Sequence, residues 1–225
     1  RLVDSIEGVE RIRFMTSHPK DLTPPMIDVM AEARKVCPSL HLPVQAGSDR
    51  VLKMMGRGYS AAQYLDRLNR LKKALPGITV STDIMVGFPG ESEEDFQETL
   101  KLMEEAEFDS LYLFIYSPRP GTEAAGYDGA VTREEAVKRF DRAKKLNYKI
   151  ITRKNRRMVG QAVEVLCEGL YNGSGISSKE TDKNWFGRTP GNSQVIFQAD
   201  RDMGGKTPPV LITGVKGYNL LGKVR

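Results

Sequence analysis

Residues 1–157 predict an α/β domain on a parallel sheet, and residues 158–225 predict a small all-β, barrel-like module. Three observations carry this reading. Short apolar runs alternate with helical-period segments up to about residue 157. The helical segments open on capping residues or close on Gly or Pro. Beyond Met158 the helical period vanishes, leaving short alternating runs separated by Gly, Asn and Pro.

The elements follow in order. "RIRFMTSHP" reads as a strand over residues 12–16. Thr23 caps a helix with Pro24 at its first position, where the missing N–H costs nothing. That helix extends to about Val36. "LHLPVQ" is a second strand. A short helix over residues 49–55 is stopped by Gly56 and Gly58. Ser60 and Gln63 form a capping box, and Tyr64, Leu65, Leu68, Leu71 and Leu75 give the next helix its apolar stripe. "ITVSTDIMVGF" is a third strand. Ser92 and Asp95 cap a helix lined by Phe96, Leu100 and Met103. "SLYLFIYS" is a fourth strand. Thr132 and Glu135 open a long helix whose stripe is Ala136, Val137, Phe140, Ala143 and Leu146.

Repeated strand–helix units imply parallel strands with helical crossovers, and ligands of such sheets gather at the strands' C-terminal ends. Those ends are Ser17-His18-Pro19, Gln45-Ala46-Gly47-Ser48, Gly87-Phe88-Pro89-Gly90-Glu91 and Ser117-Pro118-Arg119-Pro120-Gly121-Thr122. All are rich in Gly, Pro or short polar residues. Turn chemistry alone favours such residues, but four of them on one rim suit a binding site. The loop over residues 172–184 is polar and expected to be mobile.

Charge is unevenly spread. Residues 133–157 carry 11 Lys or Arg against three Asp or Glu, whereas residues 1–132 carry 15 against 20. This points either to a polyanionic partner or to a solvated helix face. No apolar run is long enough to span a membrane. The N-terminus lacks a signal-peptide core and starts in mid-pattern without Met, so a fragment is expected. Cys37 and Cys167 form neither a disulfide framework nor a metal motif, which suggests a reducing, cytoplasmic setting.

"TSHPKDL", "HLPVQAGSDRVLKMMGRGYS", "TDIMVGFPGESEEDF" and "YSPRPGTEAA" occur in an order that resembles the C-terminal two thirds of radical SAM methylthiotransferases of the MiaB type. "GRTPGNSQVIF" followed by "ITGVKGYNLLGKV" is similar to their TRAM domain. The resemblance covers nearly the whole chain. It implies a partial radical SAM (TIM-like) barrel over residues 1–157 and an OB-like TRAM RNA-binding domain over 158–225. The activity implied is addition of a 2-methylthio group to N6-prenylated adenosine beside the tRNA anticodon. Relatives acting on N6-threonylcarbamoyladenosine, or a non-catalytic RNA-binding fragment, are the alternatives. The implied cofactors are S-adenosylmethionine and two [4Fe-4S] clusters, and the implied partners are a tRNA anticodon stem-loop, a sulfur donor and an electron donor. The complete enzyme is expected to be a monomer. Two departures stand out. The C-x-x-x-C-x-x-C cluster motif is absent, so the chain alone is expected to be inactive. Ala46 stands where such enzymes usually have Ser.

S-adenosylmethionine needs donors for its carboxylate and acceptors for its ribose and ammonium. Gln45, Gly47, Ser48, Arg57 and Asp83 are the candidates. Gly47 admits close backbone approach, and Arg57 offers a guanidinium fork. Each also has a plainer reading, Arg57 as a solvated helix end and Asp83 as a buried or capping carboxylate. Tyr116 and Arg119 stand where a substrate base would enter, or simply pack the rim. His18 and His41 read as hydrogen-bonded strand-end residues. For RNA, Arg139, Arg142, Lys145, Lys149 and Arg153 recur at helical spacing as a basic band. Trp185, Phe186, Arg188 and Tyr218 offer stacking and charge, with Trp185 alternatively a core anchor.

Overall fold

A computed structural model describes residues 1–15, 18–173 and 183–224. The chain divides into two compact units, Arg1–Ile150 and Ile151–Arg225.

In the first unit a three-stranded parallel sheet has the order β1 (Ser39–His41), β2 (Thr79–Val86), β3 (Ser110–Ile115). The helices are α1 (Pro24–Glu32), α2 (Asp49–Met54), α3 (Ala61–Ala74), α4 (Glu93–Ala106) and α5 (Arg133–Arg156). In β2, Val80, Thr82, Ile84 and Val86 are buried, while Ser81, Asp83 and Met85 alternate with them and stay partly exposed. This is the period-two signature of a strand with two unlike faces. The buried set packs with Leu40, Leu42, Tyr64, Leu68, Leu71, Phe96 and Phe108 into one core. Both capping boxes form, Ser60 with Gln63 at α3 and Ser92 with Asp95 at α4. Thr132 caps α5 by accepting from the Glu135 amide at 3.2 Å.

Two sequence expectations need correction. Among the described residues no strand occupies 12–15. Ile12 instead makes an isolated parallel bridge to Val36, through Ile12 N–H to Lys35 O at 2.7 Å and Cys37 N–H to Ile12 O at 2.9 Å. Thr16 and Ser17 lie outside the described residues. α1 ends at Glu32 rather than near Val36, because Ala33 turns extended and Val36 bridges to Ile12. Thr23 sits at the cap position, yet its side chain accepts no hydrogen bond there.

The second unit is a six-stranded sheet of order β4-β8-β9-β7-β6-β5, comprising β4 (Ala162–Glu164), β5 (Leu166–Leu170), β6 (Lys183–Arg188), β7 (Gln194–Ala199), β8 (Pro209–Lys216) and β9 (Asn219–Val224). All its pairings are antiparallel except β7 with β9. Val165, Cys167, Trp185, Val195, Phe197, Val210, Ile212 and Leu220 fill its core. Bulges at Cys167/Gly169 and Ile212/Gly214 bend the sheet. Of the polar loop expected to be mobile, residues 174–182 lie outside the described residues.

Candidate functional site

The C-terminal ends of β2 and β3 and the chain following β1 open onto a cavity of about 670 Å³. Gln45, Arg57, Asp83, Met85, Phe88, Tyr116, Arg119 and Tyr127 are among its lining residues. Residues drawn from three strand ends thus meet in one place.

Gln45 continues β1 alongside β2. Its N–H donates to Asp83 O at 2.9 Å, and its carbonyl accepts from Met85 N–H at 2.8 Å. Its φ is +77°, a left-handed conformation costing a non-glycine residue about 1–3 kcal/mol. The residue is 8% exposed, and it lines the cavity. A buried non-glycine residue held at positive φ against a cavity marks a candidate binding position. Asp83 also lines the cavity. Its carboxylate lies 3.5 Å from His41 Nε2, and His41 Nδ1 is 2.9 Å from Ser81 Oγ. Arg57 lies between Gly56 and Gly58, both at positive φ. Its amide closes α2 by donating to Leu52 O at 3.0 Å.

Part of the lining is aromatic. Phe88 meets Tyr116 edge-on at 5.1 Å and Tyr127 at 6.2 Å. The Tyr116 hydroxyl is buried and has no partner among the described residues. Arg119 is exposed at the rim.

Gly47 and Ser48 are engaged elsewhere. Gly47 N–H donates to Thr99 Oγ1 on α4 at 2.9 Å. A Cβ there would lie 2.5 Å from Glu98 O, so Gly47 is needed for strand-to-helix packing. Ser48 donates to Asp95 Oδ1 at 2.6 Å and caps α2. Neither side chain is among those lining the cavity. Ala46 is fully buried in the core, so its methyl packs rather than binds. Burial alone would raise the Asp95 pKa, but hydrogen bonds from Arg50, Ser48 and Ser92 hold the carboxyl well below the usual range.

A buried ion pair fixes the turn after β2. The Glu91 side chain is 0% exposed and accepts from Gly87 N–H at 2.6 Å and from Arg139 Nη1 at 2.8 Å. Arg139 also donates to Glu91 O and, through Nε, to Glu135. The sequence assigned Arg139 to a solvated basic band. It is in fact 5% exposed, because its position on α5 faces the turn. Arg142 pairs with Glu93 at 2.9 Å and stacks over Phe96 at 4.8 Å. Lys145 and Lys149 are exposed, with no partner among the described residues. Arg153 is exposed but partnered.

Trp185 is 6% exposed in the core of the second unit, so it anchors packing and cannot stack on a base. Arg188 bonds Glu168 at 3.3 Å. Tyr218 is half exposed, and Phe186 is partly buried. Sequence reasoning named the Phe88 loop but not that residue's role. Tyr127 carried no signal, since it lies in a Gly-rich link outside any periodic element. Among the described residues no helix is long and apolar enough to cross a membrane.

Residues 1–103 match the model of the Radical SAM superfamily. The tRNA-2-methylthio-N(6)-dimethylallyladenosine synthase of Pelotomaculum thermopropionicum is 45% identical over 221 residues, 98% of this chain and 48% of that protein. The synthase of the same name from Geobacter sulfurreducens is 46% identical over 224 residues, 100% of this chain and 48% of its own. The chain therefore spans about half the length of the curated relatives it matches. Among solved structures, coproporphyrinogen III oxidase (HemN) from Escherichia coli, described as a radical SAM enzyme, superposes with a TM-score of 0.52. It is 15% identical and covers 80% of this chain and 46% of its own, a likeness of fold alone.

Proposed function

We propose, on the premise that this chain is a homologue of the tRNA-2-methylthio-N(6)-dimethylallyladenosine synthases over about half their length, that it forms the cofactor-facing and RNA-facing part of a radical SAM methylthiotransferase. The reaction is addition of a 2-methylthio group to N6-prenylated adenosine beside the tRNA anticodon. The observation that carries this reading is Gln45, buried and held at positive φ, lining the same cavity as Asp83 and Arg57.

These residues suit S-adenosylmethionine. Arg57 takes the carboxylate through its guanidinium fork. Asp83 accepts from the ribose hydroxyls. Gln45 offers both a donor and an acceptor. Once bound, S-adenosylmethionine supplies methyl transfer and, at a reduced iron–sulfur cluster, radical chemistry. Phe88, Tyr116, Tyr127 and Arg119 wall the side on which the substrate base enters and exclude water from it. An iron–sulfur cluster fits this chain poorly. Cys37 and Cys167 are both buried, one in each unit, and among the described residues no three His, Cys, Asp or Glu side chains come together to hold a metal. The second unit acts as a TRAM-type RNA-binding module, and Lys145 and Lys149 add phosphate contacts from α5. A cytoplasmic, monomeric enzyme served by separate sulfur and electron donors completes the proposal.

Titration calorimetry of this chain with S-adenosylmethionine tests it. Gln45→Ala and Arg57→Ala should each weaken binding by about 1–3 kcal/mol, the cost of stranding a polar partner. Unchanged affinity in both variants would remove these residues from the site and sink the reading.

A further inference from the structure

The Asp83 carboxylate lines the cavity and has one side-chain partner among the described residues, His41, whose Nε2 lies 3.5 Å from Oδ2. His41 Nδ1 is in turn 2.9 Å from Ser81 Oγ, and the His41 and Tyr112 rings meet edge-on at 5.9 Å. The strand register assembles this set. His41 on β1 pairs with Ser81 on β2, and Asp83 pairs with Tyr112 on β3. Ser81 and Asp83 are two residues apart, so their side chains share one face of β2. Neither His41 nor Ser81 is among the residues lining the cavity. The His41 side chain is 12% exposed against 24% for Asp83. The imidazole therefore supports the carboxylate from outside the cavity lining.

Ring chemistry fixes the direction of this chain of contacts. An ionised carboxylate only accepts, so the nitrogen facing it must carry a proton. The other ring nitrogen accepts when the imidazole is neutral and donates when it is charged. A hydroxyl serves both states, and Ser81 supplies one. The arrangement is not that of a hydrolytic triad, because there the serine faces the substrate. Here the carboxylate does, and Ser81 lies outside the cavity lining. We propose that His41 is a positioning residue for the cofactor. It fixes the Asp83 carboxylate through Oδ2, leaving Oδ1 to accept from the ribose hydroxyls, and Ser81 fixes the His41 ring. This rests on the S-adenosylmethionine reading above.

Titration calorimetry tests this with S-adenosylmethionine and with its analogue lacking both ribose hydroxyls. His41→Phe keeps a ring and loses both nitrogens. It should weaken S-adenosylmethionine binding about three- to tenfold, the range of one hydrogen bond, and leave the affinity for the analogue unchanged. His41→Gln, whose amide can still donate to Asp83, should recover part of the loss. An equal loss with both ligands, or no loss with either, overturns the proposal while the cofactor reading stands. A wild-type chain that binds no S-adenosylmethionine overturns the cofactor reading, and the ribose role with it. A second arm needs no cofactor. The chain has two histidines, so the His41 ring nitrogens can be followed by NMR. In mildly alkaline buffer the His41 proton should sit on Nε2, shifted downfield and protected from exchange. Asp83→Ala should remove that signal while circular dichroism shows a folded chain. A proton on Nδ1 in the wild type, or an Nε2 proton indifferent to Asp83→Ala, overturns the proposal whatever the calorimetry gives.

Discussion

Replacing Arg139 with Met would remove a guanidinium and keep its aliphatic stem. The Glu91 carboxylate, 0% exposed, would then keep Gly87 N–H as its remaining hydrogen-bond donor. Breaking a buried pair by deleting one partner costs about 3–5 kcal/mol. For a chain of this size 1 kcal/mol moves the melting midpoint by about 2–4 °C, so a fall of roughly 6–20 °C is expected. Urea unfolding should be followed by far-UV circular dichroism, dominated by the helical first unit, and by fluorescence of Trp185, the one tryptophan, in the second. The loss should appear in the dichroism transition and leave the fluorescence transition unmoved. The double variant Glu91→Leu with Arg139→Met should recover most of it, since an apolar pair needs no counter-charge. If Arg139→Met costs less than about 1 kcal/mol, the range of an exposed bridge, the clamp on the β2–α4 turn is not what holds it.

Four further outcomes follow from the same geometry. Gln45→Gly should stabilise the first unit by about 1 kcal/mol in urea titration by relieving the positive φ, while S-adenosylmethionine affinity falls. Lys145→Glu with Lys149→Glu should weaken RNA binding of every sequence alike and lower the salt slope by about one unit for each phosphate no longer neutralised, read by filter binding. Unaltered affinity and slope would make α5 a solvated face. Trp185→Ala should cost about 3–5 kcal/mol of second-unit stability through the cavity it leaves, measured by near-UV circular dichroism and thermal melting. A stable variant with weaker RNA binding would restore the stacking role. The Asp95 carboxyl is depressed in the native state, so the unfolded chain binds more protons in acid. The stability this contributes is complete above about pH 4 and fades as the pH falls through and below that value. Asp95→Asn should flatten this acid limb in melts across pH.

The sequence made the local signals legible and the long-range ones not. Ser60 with Gln63 and Ser92 with Asp95 are read from spacing alone because a capping box is closed within four residues. The rim residues Gln45, Asp83, Tyr116 and Arg119 follow from strand ends, and the cavity gathers them. Which way a turn residue points was not legible. Gly47 and Ser48 share a loop with Gln45, yet α4 claims them through Thr99 and Asp95, more than 40 residues on. Arg139 sits in a run of lysines and arginines, and its burial depends on Glu91, 48 residues earlier. The expected first strand failed because its pairing partner is an extended stretch inside what read as helix, Val36.

The order of strands in the second unit has a consequence for synthesis. β9, the last strand, lies between β8 and β7. Until residues 219–224 leave the ribosome, β7-β6-β5 and β4-β8 are separate pieces, with the β7 and β8 edges still unpaired. The described strands of the first unit, by contrast, all precede residue 116. A chain that ends before residue 219 therefore carries a β module that cannot close. Its bare β7 edge runs through the apolar Val195-Ile196-Phe197, a template for pairing with neighbouring chains. Chains truncated between residues 200 and 218 should be aggregation-prone, whereas chains ending near residue 150 should not.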